Sequence, residues 1–442
     1  MNRARLIHIA FWMTSLAPTL DAKVVVVSPI GPLSTIQAGV DAAAAGDVVR
    51  VLPGTYFGNV TVPSSKPGLV VQGKGVVILD ARAQDGGGLG AGINVDAADA
   101  VVKGITVRNA AQFASSGGDG FLVTGERVTL SNCRVVHAQQ DGFDVRADDV
   151  LVTKCTVISG DHGIRISGGS RVRAFKCVLQ QQSVAGVKLD DGPDVVLDRL
   201  TIVDSRRDGI RTFNPVDRVK VTRCTIRVSE VAIDITGDEA VVTSNRVLFA
   251  EVGAFVSGNL STVSNNRFES ILTAGRGAIE IADANTLVAN NVCRDSNVSA
   301  IRVLAAGSGV VLRKNVALRC GSPSQECFRV ETTLATIEDC VAKDAIGTGF
   351  GVSGSNTTLI DCVATRCARD GFNANVFSTD TSFERCVATK CDGEGFENRG
   401  AGTTLTKCVA KQNRIDVAND GTLTLIATKF TTGGAQTPPE VD

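Results

Sequence analysis

Cys362-Val363-Ala364-Thr365-Arg366-Cys367 returns one period later as Cys386-Val387-Ala388-Thr389-Lys390-Cys391, a near duplicate that sets the repeat of the whole chain. Upstream, the leading position runs as a column of small side chains through Cys133, Cys155, Cys177, Leu200 and Cys224. It continues as Asn245, Asn266, Asn291 and Asn315, then Cys340, and ends at Cys408. Successive members lie about 21 to 25 residues apart, and the residue two places on is apolar or small, as in Cys133-Arg134-Val135. A second column keeps step through Gly120, Gly142, Gly163, Gly186 and Gly209, then Ala232, Gly253, Ala278, Ala300 and Cys327, then Gly349, Gly371 and Gly395. Two columns sharing one period predict a solenoid.

A period this short, filled with triplets such as Val128-Thr129-Leu130 and Phe143-Asp144-Val145, leaves no room for a helix in each repeat. Three short strands and three turns fit, and coils stacked at about 4.8 Å would pair every strand with its counterparts above and below. Identical inward side chains then form ladders, with Asn amides bonded from rung to rung and buried Cys packed as a small hydrophobe. The expected fold is all-β, a parallel β-helix.

The 442 residues are 43% hydrophobic with 46 Gly and 11 Pro, and a solenoid buries its core coil by coil, so the length does not require several domains. A net charge of −1 offers no long-range attraction to nucleic acid or anionic membranes. Neither partner is expected, and the protein is expected to be a monomer. Arg3 and Arg5, an apolar stretch at 6–20 and Leu20-Asp21-Ala22 read as a signal peptide over 1–22, predicting a secreted or periplasmic protein. No later segment is long and apolar enough for a membrane span.

Of the 13 Cys, eight stand in the ladder and the total is odd, so most are read as buried thiols. Cys367 and Cys391 share a register on adjacent coils, where either a disulfide or plain packing fits. Ser34 and Gln37 form a capping-box pattern ahead of Ile36 and Val40, and Gly46 can stop the helix. That helix would cover the open end of the first coil, within an N-terminal cap and first coils at 23–97. Repeats follow over 98–430, and a tail at 431–442 with Gly433-Gly434 and Pro438-Pro439 reads as disordered.

Thr35-Ile36-Gln37-Ala38 through Gly46-Asp47, then Pro53-Gly54-Thr55-Tyr56 and Val71-Gln72-Gly73-Lys74-Gly75, resembles the N-terminal cap of pectin-lyase-like right-handed β-helix proteins. The Asp-Gly repeats that follow are similar to the same superfamily. The resemblance implies a single-stranded right-handed parallel β-helix with an N-terminal capping helix. For function it implies lyases, hydrolases or epimerases acting on polysaccharide, or non-enzymatic surface proteins.

Strand alternation places the residue two after the glycine column outward. Down the coils that position reads Asp144, Arg165, Lys188, Arg211, Asp234, Phe255, Glu280, Arg302 and Arg329. Three like charges stacked at about 5 Å call for bound anions or for compensation by Asp141, Asp161, Asp190, Asp191 and Asp208. One reading is a charge-balanced face on a non-catalytic adhesive or scaffold protein. The other is a groove for an acidic polysaccharide or cell-surface glycan. By the resemblance to lyases, Lys188, Arg165, Arg211, Asp161 and His162 are the catalytic candidates. Arg207, Asp190, Asp191 and Asp234 would bind substrate, and Asp141, Asp144 and Asp208 are candidate ligands for calcium (Ca2+).

Polygalacturonases resemble the chain at Gln140-Asp141-Gly142, Gly160-Asp161-His162, Val184-Ala185-Gly186 and Gly209-Ile210-Arg211. Here His162 replaces the second Asp of a pair and Ala185 replaces a His, which ranks hydrolysis below elimination. Asp-Gly is also a turn dipeptide, a reading that covers Asp119, Asp141, Asp208 and Asp370 without chemistry. The only Trp is Trp12 and the only Tyr is Tyr56, so sugar stacking falls to Phe213 and Phe255. Phe143, Phe350, Phe372 and Phe396 are expected to face inward.

Overall fold

A computed structural model of the chain describes residues 22–82, 90–110, 117–228, 230–273 and 276–431. The expected leader, apart from Ala22, and the expected disordered tail, apart from Thr431, lie outside the described residues. Within them every named strand pairing is parallel, in one sheet of 18 strands and one of 31, the larger taking two segments from most coils. The fold is a parallel β-solenoid.

One coil shows how the sequence makes the turn. Leu151–Thr153 runs in the smaller sheet, Lys154 turns the chain with a left-handed φ of 55°, and Cys155 points inward. Thr156–Ile166 then crosses the larger sheet in two segments separated by Ser159, also left-handed at φ 67°. The next coil begins at Arg173–Phe175, directly opposite Leu151–Thr153. A left-handed residue with a Cβ costs roughly 1 kcal/mol or more. It recurs before successive rungs at Lys154, Lys176, Arg199 and Arg223, because only that corner lets the flanking strands keep their ladders.

The inward column is buried throughout, at 0–2% exposure. Its thiols donate to carbonyl oxygens, as Cys155 Sγ does to Thr153 at 3.3 Å. All 13 cysteines are free and buried, Cys367 and Cys391 included, so plain packing is the outcome at that pair. Over four coils the thiols give way to Asn, whose Nδ2 groups donate to the next Oδ1 at 3.0 Å from Asn245 to Asn266, Asn266 to Asn291 and Asn291 to Asn315. Each Oδ1 also accepts the backbone N–H of the preceding rung, as from Asn266 N to Asn291 at 3.0 Å. Asn291→Ala removes the acceptor for both Asn266 donors while burying them still. The expected loss is about 3 kcal/mol in urea unfolding, against a smaller loss for Cys362→Ala.

Inward aromatics stack as the alternation requires. Phe328, Phe350, Phe372 and Phe396 pile at 4.6, 4.9 and 4.9 Å, and Phe121 lies on Phe143 at 5.0 Å. At the N-terminal end, the helix Ile36–Ala42 buries Ile36, Gly39 and Val40. A Cβ at Gly39 would meet Val27 Cγ2 at 2.2 Å, so glycine permits this close approach to the first strand. The N-cap is Thr35, whose hydroxyl accepts from Ala38 N at 3.1 Å, rather than Ser34. Gln37 leaves the expected box to accept Thr61 N at 2.7 Å, tying the helix to the next coil. The helix ends at Ala42, ahead of Gly46, because Ala43 is already extended. No helix among the described residues is long and apolar enough to cross a membrane.

Candidate functional site

Alternation in the larger sheet buries Phe143, Ile164, Val187, Ile210 and Ile233 on one side. The intervening residues stand outward in strict register: Asp144 opposite Arg165, Arg165 opposite Lys188, Lys188 opposite Arg211, and Arg211 opposite Asp234. The column continues through Phe255, Glu280, Arg302 and Arg329. The sequence-derived column is therefore the physical one.

Its cations are compensated by protein carboxylates. Asp190, just past the strand Val178–Leu189, receives Arg165 Nε at 2.6 Å and Lys188 Nζ at 2.8 Å. Burial alone would raise the Asp190 carboxyl, but Lys188 and then Arg165 outweigh it and hold it below the usual range. Lys188 also lies 4.8 Å from the centre of the Phe213 ring, which is 64% exposed. Phe255, the other aromatic expected outside, is half-buried.

Arg211 sits between two carboxyls, with Nη1 3.2 Å from Asp208 and Nε 4.0 Å from Asp234. Burial pushes the Asp208 carboxyl upward against the pull of Arg211. Asp234 rises to about 6, through burial first and the Asp208 charge second, with Arg211 opposing. Two carboxyls of raised proton affinity thus flank one guanidinium.

One coil before Lys188, His162 Nδ1 donates to Asp141 Oδ1 at 2.7 Å, and Arg165 reaches the other Asp141 oxygen at 3.8 Å. The hydrogen bond fixes the imidazole and leaves its Nε2 as the other ring position. Asp161 accepts from the Ser183 hydroxyl at the rim. Asp191 is exposed and closes its own turn on Gly192 N at 2.7 Å, and Arg207 is exposed at the entry to Asp208. Neither Asp191 nor Arg207 joins the paired column.

Asp144 faces outward as expected but is 1% exposed, covered by Arg146 at 2.6 Å and the Ser167 hydroxyl at 2.7 Å. Asp141, Asp144 and Asp208 each turn to a separate cation, so they do not converge into the shell of oxygens that calcium takes. Among the described residues no group of three or more His, Cys, Asp or Glu gathers around a metal position.

Two of the Asp-Gly dipeptides lie in strands, whereas Asp119-Gly120 and Asp370-Gly371 lie just ahead of theirs. Asp141 opens Asp141–Val145, Asp208 opens Asp208–Thr212, and Asp119, Asp141 and Asp208 are each 3% exposed. Stacking on the coil above removes them from water, which a turn dipeptide would not. Asp119 accepts from Asp141 N at 3.0 Å, and burial followed by the Asp141 charge raises its carboxyl to about 7. Its alignment with Asp141 and Asp208, one residue before the glycine column, was the available signal. Glu280 is another buried carboxyl, 2% exposed, held by Arg276 at 2.7 Å and Gly277 N at 3.0 Å.

Residues 49–187, 119–268 and 231–357 match the model of the family described as right-handed β-helix region. No curated protein sequence matches the chain. Among solved structures, the tailspike protein of E. coli bacteriophage HK620, in complex with hexasaccharide, is 10% identical with a TM-score of 0.51, covering 84% of this chain and 75% of that one. DFA-IIIase from Arthrobacter chlorophenolicus A6 without its lid is 13% identical with a TM-score of 0.50, covering 68% and 96%. Pectate lyase Pel9A is 16% identical with a TM-score of 0.41, covering 69% and 78%. At these identities the likeness is one of fold.

Proposed function

Because the chain belongs to the right-handed β-helix family, in the pectin-lyase-like architecture, we propose that it is an exported protein that cleaves an acidic polysaccharide laid across Arg165, Lys188 and Arg211. The observation that carries this reading is the position of Arg211 between Asp208 and Asp234.

Elimination from a uronate breaks the C–H bond beside the carboxylate, forms a carbon–carbon double bond and expels the glycosidic oxygen, which takes up a proton. Negative charge builds on the substrate carboxylate, so a guanidinium at the centre of the pair lowers the barrier. Hydrolysis passes through a positively charged oxocarbenium-like state, which the same guanidinium would oppose. Asp208, hydrogen-bonded by Arg211, is the carboxylate that accepts the first proton. Asp234, which keeps its proton up to about pH 6, is the acid. Lys188 is an ammonium committed to Asp190, so its role is binding rather than base, and the exposed Phe213 ring beside it offers a face for a sugar.

The test is incubation with polygalacturonate and with alginate, following ultraviolet absorbance of unsaturated products and, separately, reducing ends. The expected result is absorbance that falls by a factor on the order of 100 or more in Asp234→Asn and declines as pH rises through about 6. Reducing ends without absorbance would replace elimination with hydrolysis. Silence in both would favour a non-catalytic scaffold, a reading supported by the pairing of Arg165, Lys188 and Arg211 with protein carboxylates.

A further inference from the structure

The smaller sheet carries a charged face remote in sequence pattern and in sheet from the column above. Its strands Leu151–Thr153, Arg173–Phe175, Val196–Asp198 and Lys220–Thr222 stack in register, with Leu151, Arg173, Val196 and Lys220 forming one outward file. An open groove of about 510 Å³ runs over this file. Leu151 and Val196 give it a half-buried apolar floor, and Arg173 and Lys220 rise from it exposed.

One wall is already neutral. Arg171 pairs with Asp149 through Nε at 2.7 Å and Nη2 at 2.8 Å, and Arg218 pairs with Asp194 at 2.7 and 3.0 Å. The opposite edge, formed by the left-handed corner residues, is cationic over four consecutive coils: Lys154, Lys176, Arg199 and Arg223. There Asp198 is matched to Arg223 at 2.7 Å and lies 4.0 Å from Arg199. Among the described residues Arg173, Lys220, Lys154 and Lys176 have no carboxylate within ion-pair distance, although Arg173 acts on Asp149 and Lys220 on Asp194 at longer range. The groove is lined by Arg171, Arg173, Arg218 and Lys220 against Asp149 and Asp194, an excess of two cations in a chain whose net charge is −1. Like charges held on neighbouring rungs are unfavourable without an anion between them.

We propose that this groove binds a carboxylated or sulfated polysaccharide, with Arg173 and Lys220 meeting acidic groups on the chain and the apolar floor meeting sugar faces. The two cations stand two coils apart, about 10 Å, so they engage separate groups of an extended polymer rather than one small anion. Single-stranded nucleic acid would need aromatic rings free to stack bases. The ring on this face, Phe175, is covered by Lys176 Nζ at 4.9 Å and by the Arg199 guanidinium at 5.4 Å. A groove of this kind would hold the protein on its polymer while the other sheet works, but binding here does not depend on that activity.

Titration calorimetry of the full chain with dextran sulfate and with polygalacturonate tests this directly. Arg173→Ala combined with Lys220→Ala is expected to weaken binding to at least one polymer by about ten-fold or more and to flatten its salt dependence. The same double variant should keep wild-type melting and wild-type cleavage of short substrates. Should the double variant melt early, Arg173→Gln alone at two salt concentrations gives the same reading. No binding by the wild-type chain, equal binding by the double variant, or displacement by duplex DNA as effective as by dextran sulfate would each overturn the proposal.

Discussion

Gly142→Ala is expected to abolish stable folding of the central coils. A Cβ at this position would stand 2.5 Å from both methyl groups of Val157 and 2.6 Å from the carbonyl oxygen of Gly163. The methyls belong to a residue packed at 0% exposure, and the carbonyl belongs to the next strand of the ladder, so neither can retreat without parting two coils. Overpacking by one carbon costs about 1–3 kcal/mol where side chains can shift. With a backbone atom in the way, the expected cost exceeds about 3 kcal/mol. Because coils are stabilised by their neighbours, the variant should unfold in two phases or accumulate as insoluble protein. Gly168→Ala is the control: its Cβ would meet only Arg146 O at 3.6 Å, so it should match the wild type in urea unfolding. Equal stability of the two variants would contradict the packing described.

Stability should fall as pH rises from about 4 to 7, and Asp119→Asn should remove much of that fall. The Asp119 carboxyl is 3% exposed and raised to about 7 by burial and the neighbouring Asp141 charge, against about 4 in an unfolded chain. The folded state therefore holds a proton that the unfolded state releases. That contribution is full below about pH 4 and is lost as pH rises through about 7, with a total of about 4 kcal/mol. Asp234, raised to about 6 by burial and Asp208, and Glu394, raised to about 7 by Asp370 and burial, act in the same direction. The opposite limb comes from carboxylates held low, such as Asp80, which the Arg82 guanidinium keeps well below the usual range despite burial. Stability from those groups is lost as pH falls below about 4, so the maximum belongs at roughly pH 4 to 5. Urea midpoints of wild type and Asp119→Asn across this range check the result. Parallel profiles would show that Asp119 titrates normally.

Where each cation finds its partner was not legible in the chain. Asp190 takes both Arg165 and Lys188 because it lies just beyond the strand end, where the chain bends and its carboxylate can swing over two rungs. Asp191-Gly192-Pro193 marks the bend, but not which rungs the Asp190 carboxylate reaches. The same holds for the calcium set, since Asp141, Asp144 and Asp208 share acidity but are turned to His162 and Arg165, to Arg146, and to Arg211. The basic groove escaped notice because Leu151, Arg173, Val196 and Lys220 alternate apolar and charged down the file, with no run of one sign.

The sequence by itself determined the solenoid, the inward ladder from Cys133 to Cys408 and the outward register from Asp144 to Arg329, because a parallel stack sets repeats in register and a strand alternates its faces. Tertiary structure alone decided which carboxyls hold protons and which cations remain unpaired. Those properties depend on depth from solvent and on side chains reaching across coils, and a strand's period of two encodes neither.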